Sequence, residues 1–247
     1  MTYLPRPGPW LPGVHPSTNI QRDPAAYEVM NAAMDPDGDV WKSVRKEFDW
    51  SGMIVVDIGA GDAFHLPSLA ADAKHAILME PDDTTRLRAM SRTFSSGFSN
   101  VSIQTGSAER TLLDTGSVDF VHARFAYFWG PGCEVGIDEI KRILREGGCF
   151  IVIDNDYWSG DFAAWLQGAS EYSVQYTPPN KEERFSFWQR HGFGVNRIMS
   201  TIRFPNKQLM DKALMNEFPH QYFSNTLQHL RHLEYTYGFV AYTFHKT

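Results

Sequence analysis

The chain is poor in the features that mark stapled, membrane-spanning or nucleic-acid-coating proteins. It has two cysteines, Cys133 and Cys149, too few for a disulfide framework or a structural zinc site. No apolar run is long enough to cross a bilayer. Basic residues do not dominate: 23 Lys and Arg stand against 29 Asp and Glu, a net charge of −6. That balance disfavours non-specific binding to nucleic acid or anionic membrane. The start of the chain, with Pro5, Pro7 and Pro9, lacks the apolar core of a signal peptide. A reduced, cytoplasmic protein is therefore expected. Internal repeats and low-complexity segments are also missing. What is present is ordinary globular composition, 43% hydrophobic and 21% charged, in a chain long enough to bury one good core as a single domain.

Residues 1–22 are proline-rich and carry no periodicity, so an extended arm lying on the domain is expected. Asp23-Pro24 supplies an N-cap and a proline at the first helical position, opening a helix to about residue 33. Asp35-Pro36-Asp37-Gly38-Asp39 resembles part of a calcium loop, but glycine falls fourth instead of sixth and Lys46 occupies the twelfth place. It reads as a turn capping a helix over 40–48. From Met53 onward strands predicted at 53–58, 75–80, 101–105, 118–123 and 149–154 alternate with helices at 63–73, 83–94 and 134–145. Such β–α units imply a parallel sheet with helices on both faces. Three core divisions follow: 1–50 as arm and helices, 51–156 as the β–α core, and 157–247 as further helices with closing strands near 195–204 and 235–244. Helices are expected at 160–169, at 181–190 and across 206–232.

The informative stretch is 53–64. Its strand, Met53-Ile54-Val55-Val56-Asp57-Ile58, runs into Gly59-Ala60-Gly61. The apolar run suits a strand buried on both faces, and the glycines allow a sharp turn that a ligand can approach closely. By itself this turn is weak evidence, because many doubly wound proteins carry one. The nicotinamide-dinucleotide pattern would need glycine where Phe64 stands. Glu80 ends the second strand, where a carboxylate can accept from both hydroxyls of a ribose. The third strand ends in Gly106-Ser107-Ala108-Glu109, a turn able to read an adenine edge. The fourth delivers Arg124-Phe125-Ala126-Tyr127-Phe128, and Gly147-Gly148 turns into the fifth. All these strand ends project toward one rim, where open α/β sheets bind ligands.

In that order the motifs resemble the class I S-adenosylmethionine-dependent methyltransferases, in particular the branch acting on small molecules. The resemblance covers roughly residues 50–156, with Trp188-Gln189-Arg190-His191-Gly192-Phe193 resembling the usual entry to the sixth strand. It implies a Rossmann-like α/β fold, a seven-stranded mostly parallel sheet with the last strand antiparallel and beside the fifth. It implies S-adenosylmethionine as cofactor and S-adenosylhomocysteine as product. Asp57, Gly59, Ala60 and Gly61 would lie near the methionine part, Glu80 and Pro81 near the ribose, and Ser107, Ala108 and Glu109 around the adenine. Arg124 and Phe125 would lie under the cofactor's far side. Two departures stand out: Ala63 replaces a common third glycine, which is harmless if its φ is ordinary, and Ser107 replaces a common aspartate.

Candidates for proton transfer are Asp154 and Asp156 at the end of the fifth strand, and His122 within the fourth. Two have a plain structural alternative: His122 as a core histidine, Asp156 as a loop cap. Metal-dependent relatives place an acid after the fourth strand, and here that strand ends His122-Ala123-Arg124, so no metal site is expected. His229 and His232, near Glu234, lack a further convincing ligand. Aromatic density suggests an apolar acceptor pocket with Tyr127, Phe128, Tyr157 and Trp158 in its wall. Base-methylating relatives carry an Asn/Asp-Pro-Pro-aromatic motif after the fourth strand that this chain lacks, so a small-molecule acceptor, not nucleic acid, is expected. An isomerase or cyclase on the same scaffold, or a cofactor-binding protein without catalysis, would need the same rim.

Overall fold

The structure is a computed structural model that describes residues 17–126 and 130–247. The first sixteen residues, Tyr127 and Phe128 therefore lie outside the described residues. The N-terminal part forms α1 (Thr18–Arg22), α2 (Pro24–Ala33) and α3 (Asp39–Glu47). Asp23 caps α2 by accepting from Ala26 N–H at 2.9 Å. The Asp35 carboxylate plays that part for α3, accepting from the N–H of Asp39 and Val40 at 2.8 and 3.1 Å.

The β–α core follows as β1 (Ile54–Ile58), α4 (Leu66–Ala70), β2 (His75–Met79), α5 (Asp83–Ser96), β3 (Val101–Gln104), β4 (Val118–Arg124), α6 (Glu134–Ile143) and β5 (Leu144–Asn155). After it come α7 (Asp161–Ala169), α8 (Lys181–Arg190), β6 (Gly194–Arg203), α9 (Lys207–Glu217), α10 (His220–Asn225) and β7 (Glu234–His245). The seven strands form one sheet in the order β3-β2-β1-β4-β5-β7-β6. β7 is antiparallel to both its neighbours, and the other pairs are parallel. The chain winds outward from β1 to β3, then returns to lay β4 beside β1. That reversal opens a crevice at the carboxyl ends of β1 and β4, and the register sets Asp57 opposite His122 and Ile58 opposite Ala123.

Alternation along β4 sorts its side chains onto two buried faces. Phe120 joins Trp50, Ile151, Leu214 and Phe239 under the N-terminal and late helices. Val121 and Ala123 join Ile140, Phe150, Trp188 and Tyr242 under α6 and α8. His122 and Arg124 share the Phe120 side, so polar groups at the strand's end enter the space covered by α2 and α3.

Two expected helices are shorter than their patterns. The stretch 206–232 divides into α9, α10 and a single 3₁₀ turn, Leu227–His229. Pro219 forces Phe218 into an extended backbone (φ −109°, ψ 161°), which ends α9. The expected helix over 63–73 shrinks to α4, because Ala63 sits at φ +65° and Pro67 belongs in a first turn.

Candidate functional site

The turn after β1 is tied to the end of β2: Gly59 and Ala60 N–H both donate to the Met79 carbonyl, at 2.8 and 3.0 Å. Gly59 and Gly61 adopt φ +66° and +60°, left-handed geometry that glycine takes without steric cost. Space is restricted as well as torsion. A Cβ on Gly59 would lie 2.4 Å from Ala126 Cβ, and one on Gly61 would lie 3.6 Å from Ile20 Cδ1. Ala63 corrects the expectation of ordinary φ: it is fully buried and left-handed, at +65°, a conformation costing about 1–2 kcal/mol for a residue with a Cβ.

Glu80 stands beside this turn, 7% exposed. One carboxylate oxygen accepts from Gly61 N–H and the other from Asp82 N–H, each at 2.9 Å. Burial raises its pKa to about 7, against the opposing pull of those two N–H groups. Each oxygen keeps a lone pair for a further donor. Pro81 follows, and Arg86 donates to the Glu80 carbonyl at 3.0 Å. On the next strand end, Ser107 and Arg110 exchange backbone hydrogen bonds at 3.1 Å, closing a tight turn over buried Ala108. Glu109 keeps one carboxylate oxygen buried without a partner.

Across the crevice lies a second cluster. His122 Nδ1 is 2.7 Å from the Asp57 carboxylate; the carboxylate accepts, so the proton is on Nδ1 and the free imidazole's lone pair is on Nε2. His122 Nε2 is buried without a partner, and the ring lies 4.9 Å from that of Trp41 on α3. His65 is held well below the usual histidine pKa by burial and by the nearby charge of Arg124. Arg124 ends β4 with Nε and Nη2 buried and unpartnered. Phe125 takes φ +50°, a true outlier for a bulky side chain, fixed by its N–H donating to the Ile153 carbonyl at 3.0 Å. Strain of this kind concentrates at ligand sites.

One cavity connects the glycine turn, Asp57, His122, Arg124 and Phe125, and α2 closes it with Tyr27 and Asn31. The latter two, with His65, were invisible as site residues in the sequence. Their one signal is polar side chains four apart on a helix whose buried face is otherwise Ala and Met.

Other candidates lie apart from this cavity. Asp154 is ion-paired to Arg184. Asp156 pairs with Arg197 at 2.6 Å and accepts from Trp158 N–H at 2.9 Å, so it caps the loop. Trp158 packs edge-on to Phe185 of α8, with ring centroids 5.3 Å apart, and neither it nor Tyr157 lines the cavity. A larger hollow of about 330 Å³ opens at the opposite rim between Ile54, His75 and Val118, the wrong end of a parallel sheet for a ligand site.

For an adenosyl sulfonium cofactor the donors and acceptors fit: a turn in which Gly59 and Gly61 carry no Cβ, the Glu80 carboxylate, and the spare oxygen of Glu109. The space is narrower. About 30 Å³ remains above the turn, room for a water or two, whereas small-molecule sites run to roughly 300 Å³ or more. Tyr27 and Asn31 of α2, with His65, His122 and Arg124, wall it in.

Comparison with known proteins agrees with this geometry. A family model described as a methyltransferase domain matches residues 56–152. A ubiquinone/menaquinone biosynthesis C-methyltransferase of Rubrivivax gelatinosus is 28% identical over 133 residues, 53% of this chain. The match spans about half, 51%, of that relative's length. Among solved structures, the YcgJ protein of Bacillus subtilis superposes with a TM-score of 0.60 at 14% identity, over 83% of this chain and 97% of its own. A Thermotoga maritima protein described as a possible histamine N-methyltransferase gives 0.58 at 21% identity, over 93% and 99%. At such identities the structures establish a shared fold.

Proposed function

We propose that this chain, whose residues 56–152 match a methyltransferase-domain family model, is a class I S-adenosylmethionine-dependent methyltransferase that transfers a methyl group to the oxygen or nitrogen of a small-molecule acceptor, with His122 as general base. The carrying observation is the Asp57–His122 pair at 2.7 Å with Nε2 unpartnered at the crevice. When bound, the cofactor supplies a methyl group on a good leaving group, so the chain's own work is orientation, exclusion of water and removal of a proton.

In this reading Gly59, Ala60 and Gly61 lie against the methionine part, Glu80 accepts from the ribose hydroxyls, and Ser107, Ala108 and Glu109 surround the adenine. Asp57 orients His122 and stabilises the imidazolium formed when Nε2 takes the acceptor's proton. Asp154 and Asp156, already held by arginines, have structural tasks. Burial of the crevice under α2 and α3 keeps water from the reacting groups.

A second reading is methylation of an activated carbon, favoured by the relative named for C-methylation in quinone biosynthesis. The same dyad would remove the proton from that carbon or from a neighbouring hydroxyl.

The test is incubation with S-adenosylmethionine labelled in its methyl group and a fractionated small-molecule extract. A labelled product is expected, and H122N should lower its rate by about 10²–10⁴-fold while S-adenosylhomocysteine affinity stays unchanged. Full activity in H122N would remove His122 from proton transfer. Binding without turnover in any fraction would favour an isomerase, a cyclase or a non-catalytic role.

A further inference from the structure

Arg124 is a permanent cation shut away from water, and none of the described acids pairs with it. It is 8% exposed at the end of β4, its guanidinium 5.5 Å from the Phe125 ring centroid and 5.1 Å from that of Phe239. Nε and Nη2 are both buried without a hydrogen-bond partner. Those two groups share one edge of the guanidinium, the edge that a carboxylate meets with two parallel hydrogen bonds.

The carboxylates nearby are engaged elsewhere. Asp57 is held by His122. Asp35 accepts from the N–H of Asp39 and Val40 and from Ser200. Asp154 and Asp156 are paired with Arg184 and Arg197, and Asp62 with Arg92. An arginine cannot escape burial by losing its proton, and an unpaired buried cation is strongly unfavourable. A ligand that brings its own anion removes the conflict.

The position of Arg124 selects the ligand. Glu80 and the glycine turn belong to the β1–β2 side of the crevice. The guanidinium instead leans over Phe239 on β7, two places beyond β4 in the opposite direction. We propose that the methyl acceptor is a carboxylic acid with a flat unsaturated or aromatic body, whose carboxylate docks on the Nε–Nη2 edge of Arg124 beside Phe125 and Phe239. Describing that acid as the acceptor rests on the methyl-transfer reading; the anion site rests on Arg124 alone. The resemblance to methyltransferases had placed Arg124 under the cofactor.

The test titrates the S-adenosylhomocysteine-saturated protein with benzoate and with benzyl alcohol, which keeps the ring and removes the charge. Benzoate should bind at least roughly tenfold more tightly, as two charge-assisted hydrogen bonds require. R124M should abolish that preference and leave S-adenosylhomocysteine affinity within about twofold. R124K, which keeps the charge and loses the fork, should retain part of it. R124M removes an uncompensated buried charge at similar volume, so its melting temperature should not fall, and a folded R124K covers the case in which it does. No preference for benzoate in the wild type overturns the proposal. So does a tenfold loss of S-adenosylhomocysteine affinity in R124M, which would assign the guanidinium to the cofactor. If the wild type binds no S-adenosylhomocysteine, the methyl-transfer reading fails separately. The same titration without it then decides the anion site: an Arg124-dependent preference supports it, and none overturns it.

Discussion

In the proposed reading Glu80 is one carboxylate that couples folding to cofactor binding. Burial lifts its pKa from 4.5 to about 7, so the fold favours the protonated acid. The stabilising protonation is complete below about pH 4.5 and is lost as the pH rises through about 7. Between pH 5 and 8 the wild type should lose about 2–3 kcal/mol more unfolding free energy than E80Q, measured by urea denaturation at both pH values. Equal losses would mean that Glu80 ionises as freely in the fold as in the unfolded chain. Ligand binding should run in the opposite direction, because ribose hydroxyls donate best to the ionised form. Residue-scale chemistry also separates the three proton-transfer candidates. Sequence alone favoured Asp154 and Asp156 over His122, because an ion pair with Arg184 or Arg197 joins positions 30 and 41 residues apart. Only packing reveals that the two acids are committed and that the histidine keeps a free nitrogen.

At the scale of elements, the strand pattern was the most legible feature. Buried parallel strands are continuous apolar runs, so β1, β2 and β4 stand out within a residue of their observed bounds, and the antiparallel place of β7 followed from the resemblance. Helices were less legible where one torsion overrides periodicity. Apolar spacing across 206–232 cannot signal that Pro219 breaks the stretch, and nothing in Ala63's composition announces a left-handed φ. The cover formed by α1 and α2 was also hidden. Its contacts, Ile20 against Gly61 and Tyr27 and Asn31 over the cavity, span long sequence separations. The 30 Å³ left beneath this cover is about a tenth of a small ligand site, so in the proposed reading cofactor entry requires α2 to shift. Amide hydrogen exchange across 17–33 should therefore change on addition of S-adenosylhomocysteine, with an altered protection pattern in α1 and α2. Identical exchange with and without ligand would show that this cover does not participate.

On the scale of the molecule, the sheet order and the long-range pairings make one crevice out of groups from β1, β2, β4 and the N-terminal helices. Its two sides differ in chemistry: a carboxylate and a glycine turn on the β1–β2 side, and on the β4 side a guanidinium and an imidazole that each keep buried nitrogens without a partner. That division suits one ligand offering hydroxyl donors and another offering an anion and a proton. Among the described residues no helix is long and apolar enough to cross a membrane. The central claim, that the turn at 59–61 and Glu80 hold an adenosyl cofactor, is tested most directly by calorimetry with S-adenosylhomocysteine. The account predicts one site per chain, an affinity lowered by about 1.5–3 kcal/mol in E80A, and no binding heat with nicotinamide dinucleotides. Unchanged affinity in E80A, or micromolar binding of a nicotinamide dinucleotide in place of S-adenosylhomocysteine, would contradict it.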